Sequence, residues 1–185
     1  MNKYRIMPCL LLALSISPPA RGDVVSIEPF KGSESENFDR FSQGARQKLL
    51  IMGAFGWVHN VTEGGALKVE YSSSLGGRLV VPHSRPLMLG QLGISMWRFT
   101  TPLTQFGSYF ANNSRFDDAQ VDFYDEYGNL IDSVTATVPN SGDWTWNGWE
   151  SDVPIMYIVI TGNDQEFFNG FIWFDDVQVL KLGAP

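Results

Sequence analysis

Cysteine is almost missing from this chain: the 185 residues contain one, Cys9. That excludes a disulfide framework, so the fold must be held by burial of a core, with or without help from a metal ion. Histidine is nearly as scarce. His59 and His83 are the two present, and they stand in no spacing that metal ligands or a catalytic pair would require. No stretch carries a sustained 3.6-residue apolar period, which argues against helices of any length. Beyond the N-terminus no apolar run is long enough for a membrane-spanning helix. Basic residues are in the minority, 13 Lys and Arg against 20 Asp and Glu, for a formal net charge of −7. Such a surface repels phosphate backbones and anionic lipid heads, which argues against nucleic acid and membrane surfaces as partners.

The N-terminus is where apolar character concentrates. Lys3 and Arg5 precede an apolar stretch from Ile6 to Ile16, followed by Pro18, Pro19 and the small-residue site Ala20-Arg21-Gly22. The order of charge, apolar core and small residues predicts a signal peptide over 1–22, with Asp23 starting a single domain over 23–185. Cys9 lies inside that apolar core and lacks the small residue before it that a lipoprotein cleavage site wants. Removal of Lys3, Arg5 and Arg21 leaves ten basic residues against the same twenty acidic ones, a formal charge of −10. The expected setting is secreted, extracellular or in the cell envelope.

What remains is rich in short β patterns separated by Gly, Pro and Asn. Val24 to Phe30 suggests a first strand ended by Pro29, and 31–47 reads mainly as loop. Leu49 to Val58, interrupted by Gly53 and Gly56, fits a strand with a bulge. Leu67, Val69 and Tyr71 alternate with Lys68 and Glu70, as a half-buried strand does. Leu79 to Val81 is short, 82–93 reads as loop, and Trp97 and Phe99 point inward around Arg98. Val121 to Tyr124 and Leu130 to Val134 flank Asp125-Glu126-Tyr127-Gly128-Asn129, a hairpin with Gly placed for a positive φ. Ile155 to Thr161 is a β-branched central strand. The pattern predicts an all-β protein, a single jelly-roll sandwich. Its expected core includes Trp97, Phe99, Phe123, Tyr157, Val159, Trp173 and Val177.

The last hydrophobic run, Phe167 to Leu180, organises the rest. Taken by parity, Phe171, Trp173, Asp175, Val177 and Val179 share a face. Asp175 thus interrupts an apolar row, and an unpaired carboxylate there would cost several kcal/mol. It requires an ion, hydrogen bonds or a bulge that turns it outward.

Several segments together carry a resemblance. They are Ser35-Glu36-Asn37-Phe38-Asp39, Trp97-Arg98-Phe99-Thr100-Thr101-Pro102, Phe106-Gly107-Ser108-Tyr109-Phe110, Val121-Asp122-Phe123-Tyr124-Asp125 with Gly128, and Phe174-Asp175-Asp176-Val177. The chain is similar to secreted bacterial proteins of unknown function that carry an exosortase-sorting (PEP-CTERM) tail, although no such tail is present here. Its core resembles the jelly-roll carbohydrate-binding modules of the galactose-binding-like superfamily. In such modules an Asp of the last strand and acidic ligands near the first strand hold a structural calcium ion. The resemblance therefore implies calcium at Asp175 or Asp176 with Glu28, or with Glu34, Glu36 or Asp39. Calcium's demand for several hard oxygens suits carboxylates.

A second candidate site is aromatic. Asp143-Trp144-Thr145-Trp146-Asn147-Gly148-Trp149-Glu150 places three tryptophans in six positions. In an extended segment Trp144 and Trp146 share a face, while Trp149 lies beyond a turn expected at Gly148. Exposed indoles stack on the C–H faces of sugars, so Trp144, Trp146 and Trp149 are candidate ligand contacts; alternatively they fill the core. No spacing selects a catalytic pair of carboxylates, and neither Ser84 nor Ser141 has a nucleophile-elbow context. Asn60-Val61-Thr62 and Asn112-Asn113-Ser114 match glycan acceptors. Three functions follow in order: a non-catalytic module binding extracellular polysaccharide, a structural surface protein without a small ligand, and a carboxylate-dependent polysaccharide hydrolase or lyase.

Overall fold

The computed structural model of the chain describes residues 22–44, 47–84, 86–163 and 170–184. Residues 1–21 of the expected signal peptide, 167–169 of the last apolar run and the final proline lie outside them. Strands appear where β-branched and aromatic residues alternate with polar ones. The N-terminal half holds β1 (Val24–Ser26), β2 (Glu34–Glu36), β3 (Leu49–Ile51), β4 (Gly56–Asn60), β5 (Ala66–Glu70), β6 (Ser73–Leu75), β7 (Arg78–Val80) and β8 (Met88–Leu92). The C-terminal half holds β9 (Ser95–Asn112), β10 (Ala119–Tyr124), β11 (Leu130–Ala136), β12 (Thr145–Gly162) and β13 (Phe171–Lys181). No helix among the described residues is long and apolar enough to cross a membrane.

The main sheet is antiparallel, in the order β11-β10-β12-β9-β13-β8-β5. Its two long strands fold it into a sandwich. Residues 95–99 of β9 pair with β4, and residues 95–98 pair with the end of β12; residues 103–112 pair instead with β13, and 103–110 with the start of β12. Pro102 and Pro154 stand where the registers break, and each long strand thereby serves both layers. Large rings fill the space between. Trp97 meets Phe174 at 5.2 Å edge to face, Phe110 meets Phe174 at 4.9 Å, and Phe123 meets Trp149 at 5.5 Å. The fold is the expected jelly-roll β-sandwich.

Trp97, Phe99, Phe123, Trp173 and Val177 are buried as expected. Tyr157 and Val159 are not: Ile158 and Ile160 point inward in their place. The register shifts between Ile155 and Tyr157 reverse the parity that a straight strand would carry forward from Ile155. The stretch 82–93 is also not all loop, since Met88–Leu92 is a fully buried strand. Gly90 there makes room for Trp173, whose ring lies 2.4 Å from where a Cβ would stand.

A smaller apolar cluster of Val80, Met88, Ala111 and Trp173 lies apart from the main core, with Trp144 and Phe171 packed against it. Val80 enters it from the β6–β7 hairpin. That hairpin is anchored by Asn113, which donates to Ser73 and accepts 3.1 Å from Trp173 Nε1.

Candidate functional site: an aromatic strip on the outer face

Strand β13 departs from regular parity at the one place where the sequence demanded it. Ile172 and Phe174 face the core, and so do Val177 and Val179. The pairing with β9 shifts between Asp175 and Gln178, and Asp176 takes φ 49°. This bulge inserts one residue and turns Asp175 away from the core. Asp175 is fully buried all the same, and its oxygens are satisfied by the chain. Oδ2 accepts from Ser84 N at 2.8 Å, and Oδ1 accepts from Asp176 N at 2.8 Å and Ser84 Oγ at 3.2 Å. Burial pushes its carboxyl up to about 7; the charge of Asp176 adds to this, while the hydrogen bonds from Ser84 and Asp176 pull it down.

The same bulge holds a loop over the sheet. Ser84 Oγ donates to Asp176 Oδ1, and His83 Nδ1 lies 2.7 Å from Asp176 Oδ2. His83 is thereby laid flat on Tyr109, with ring centroids 3.7 Å apart and 16° between planes. Trp144 fastens the other side of the loop by donating from Nε1 to Val81 O at 2.7 Å, and its ring meets His83 at 6.1 Å. Ser84 donates to carboxylates and not to His83, so no nucleophile–base pair forms here.

Trp146 continues the strip. It pairs across the ladder with Tyr109, and Tyr109 pairs with Asp175, so one row crosses β12, β9 and β13. The next pair along on that face is Gly148 with Gly107. A Cβ on Gly107 would come 2.4 Å from Trp146 Cζ2, and one on Gly148 would come 2.5 Å from Nε1. The indole thus reaches over the bare backbone of two strands. Nε1 donates to Ile27 O at 3.1 Å, and Phe30 and Tyr109 meet the ring edge to face at 5.9 and 5.3 Å. Trp144, Trp146, Tyr109 and Phe30 are all half-buried, and His83 is exposed.

The sequence candidates divide. Trp144 and Trp146 share the outer face as expected. Trp149 is a correction: Gly148 forms no turn but sits within β12, so Trp149 falls on the opposite parity and is 2% exposed, packed between Phe106, Phe110 and Phe123. The three expected calcium ligands do not converge. Strand β1 runs along β12, while β2 is the strand that lies beside β13. Glu28 therefore comes to the groove beside Trp146 and not to Asp175 and Asp176. The alternatives are engaged elsewhere: Glu36 with Arg40 at 2.6 Å, Glu34 with Lys181 at 2.6 Å, and Asp39 with Leu87 N at 3.1 Å. Among the described residues no group of three or more side chains able to ligate a metal comes together. Both glycan-acceptor asparagines, Asn60 and Asn112, are buried and donate to backbone carbonyls.

Sequence reasoning missed His83, Tyr109 and Phe30. A signal for the site was nonetheless present: two glycines inside strands, Gly107 and Gly148, each standing where another group approaches the backbone closely.

No protein-family model matches the chain, and no curated protein matches it. Solved structures do. The K2 cleaved adhesin domain of Lys-gingipain superposes with a TM-score of 0.50 at 13% identity, over 79% of this chain and 98% of that one. A family 6 carbohydrate-binding module gives 0.37 at 11% identity, over 72% and 93%. An arabinoxylan arabinofuranohydrolase of glycoside hydrolase family 43 from Bacillus subtilis gives 0.42 at 12%, over 69% of this chain and 26% of that one. At such identities the likeness is one of fold: the chain shares its β-sandwich with the adhesin domain.

Proposed function

We propose that this chain is an exported, non-catalytic module that binds carbohydrate through the strip formed by Trp144, His83, Tyr109 and Trp146. The observation that carries the reading is the seat of Trp146. Two glycines face each other across the ladder and leave room for an indole on the outside of the sandwich, away from the core. A half-buried indole outside the core suits the C–H face of a pyranose, and aromatic surface left there marks a contact site. Neighbouring polar groups fit sugar hydroxyls. With its Nδ1 on Asp176, His83 keeps Nε2 for a ligand. The exported setting rests on the order of charge, apolar core and small residues over 1–22.

Calorimetric titration of the mature protein with soluble polysaccharides tests this, with Trp146→Ala beside the unchanged chain. Binding that is lost in the variant while the fold is retained is the expected result. Absence of binding to every polysaccharide, with no change in tryptophan fluorescence, would favour a structural surface protein. Release of reducing ends would favour a hydrolase.

A further inference from the structure

Beside Trp146, on the edge of β12 away from β9, lies a groove of about 580 Å³. Its walls are the N-terminal segment at Glu28 and the end of β11, which is tied to β12 by two hydrogen bonds from Thr137 N and to Thr137 O through Asn147. The size falls within the range of roughly 300–1,000 Å³ typical of small-ligand sites. Asn147 and Trp146 Nε1 are engaged, but among the described residues the hydroxyls of Thr135, Thr137 and Thr145 and the carboxylate of Glu28 take part in no hydrogen bond. Elsewhere comparable groups are spent. The groove lined by Glu34, Glu36 and Arg40 has both carboxylates in ion pairs.

The strip and this groove share one residue. From Trp144 through His83 and Tyr109 to Trp146 the centroid steps are 6.1, 3.7 and 5.3 Å. The row crosses from the loop over β13 and β9 to the outer edge of β12, and there the groove begins, with Trp146 on its rim. Aromatic surface at one end thus gives way to free hydroxyls and a carboxylate at the other. A single sugar ring on Trp146 would leave one of the two unused.

Resting on the carbohydrate reading above, we infer that the site takes a linear chain of several sugar units, lying over the strip and entering the Glu28–Thr137 groove, and not a single terminal sugar. The class is a neutral polysaccharide. Glu28 would repel a uronate or sulfate entering the groove, and the chain's net charge of −7 acts in the same direction. Threonine hydroxyls can both donate to and accept from sugar hydroxyls, and a carboxylate accepts from two at once.

Linear gluco- and xylo-oligosaccharides of one, two, four and six units, titrated into the mature protein, test the length dependence. The expected result is affinity that rises at least tenfold from two to four units and levels off by six. Glu28→Gln and Thr137→Val, both exposed positions, should lower tetramer affinity at least fivefold and leave that of the dimer within twofold. Trp146→Ala should lower both. Equal affinity for dimer and hexamer, with no effect of the groove variants, would overturn the chain inference while leaving carbohydrate binding standing. Failure of every length, together with every soluble polysaccharide, would overturn both. An oligogalacturonate binding more tightly than its neutral counterpart would overturn the assignment to neutral chains.

Discussion

Trp146 and Trp149 lie three residues apart on one strand and serve opposite faces. Trp149 fills the space between the layers, in contact with three phenylalanine rings. Trp146 lies over bare backbone on the outside, meeting Phe30 and Tyr109 in T-shaped contacts. The same side chain is core filler at one position and surface platform at the other, and strand parity decides which. The comparison breaks cleanly by truncation. Trp149→Ala leaves a ring-sized cavity among neighbours that cannot collapse, and should cost about 3–5 kcal/mol, read as a lower midpoint in denaturant titration. Trp146→Ala should cost about 1–2 kcal/mol, for a half-exposed ring and one hydrogen bond, yet carry the loss of sugar binding. If the two variants were equally destabilised, the distinction between faces would fail.

A subtler break leaves both tryptophans in place. Gly107 has an ordinary φ, so alanine is allowed there by the backbone, but its methyl would come 2.4 Å from the Trp146 ring. The indole must lift. Gly107→Ala should therefore lower affinity at least tenfold while costing about 1–3 kcal/mol, the usual range for overpacking. Gly128→Ala is a useful control for stability alone: it meets no atom within 4 Å but sits at φ 80°. Sugar titration and thermal unfolding of the pair separate the two effects.

How much of this was legible follows from which signals are local. The 121–134 hairpin was readable because two alternating segments flank Gly128, which does adopt positive φ. The abnormality of Asp175 was readable because period-2 parity placed a charge in an apolar row, and bulge and hydrogen bonds together resolve it. Parity also paired Trp144 with Trp146, but the turn expected at Gly148 took Trp149 out of that count, and the strand running through Gly148 puts it on the opposite face. Tyr157 and Val159 were misplaced because the strand's irregularity near Pro154 cannot be counted from residue types. His83 gave no local signal at all. Its role arises from a loop brought over Tyr109 by Asp176, 93 positions away in the chain.

The loop that carries His83 is tied to Asp175 and Asp176, which makes the bulge sensitive to pH. The folded-state value near 7 stands above the ordinary 3.8. Between about pH 4 and 7 the folded chain keeps a proton on Asp175 that the unfolded chain has released. The contribution to stability is thus fully present below pH 4, falls as pH rises through that window, and is flat above it. Allowing for solvent screening, the change is on the order of 2 kcal/mol, about half of an unscreened shift of this size. Asp175→Asn cannot ionise, so the difference in melting midpoint between the two proteins should narrow or reverse from pH 4 to pH 8. A difference that is independent of pH would sink the assignment.

The smallest effect expected is that of calcium, and it tests whether the bulge or an ion does the holding. Were an ion bridging the ends of the chain, a hundredfold excess over its dissociation constant would add about 2.7 kcal/mol. The carboxylates nearest the bulge already have partners. Asp175 accepts from Ser84 and from the Asp176 backbone, and Asp176 accepts from Ser84 and His83. Glu28 is held beside Trp146 by the run of β1 along β12, so the third ligand that would complete a cage is on the wrong edge. Calcium needs six to eight oxygens, and two adjacent carboxylates leave most of that to water. Thermal unfolding in excess chelator and in millimolar calcium should give midpoints within about 1 °C, a difference worth only a few tenths of a kcal/mol for a domain of this size. A rise of several degrees in calcium, abolished by Asp176→Asn, would mean that the loop carrying His83 opens to admit the ion. The hydrogen bonds from Ser84 and His83 would then be the resting state of a metal site.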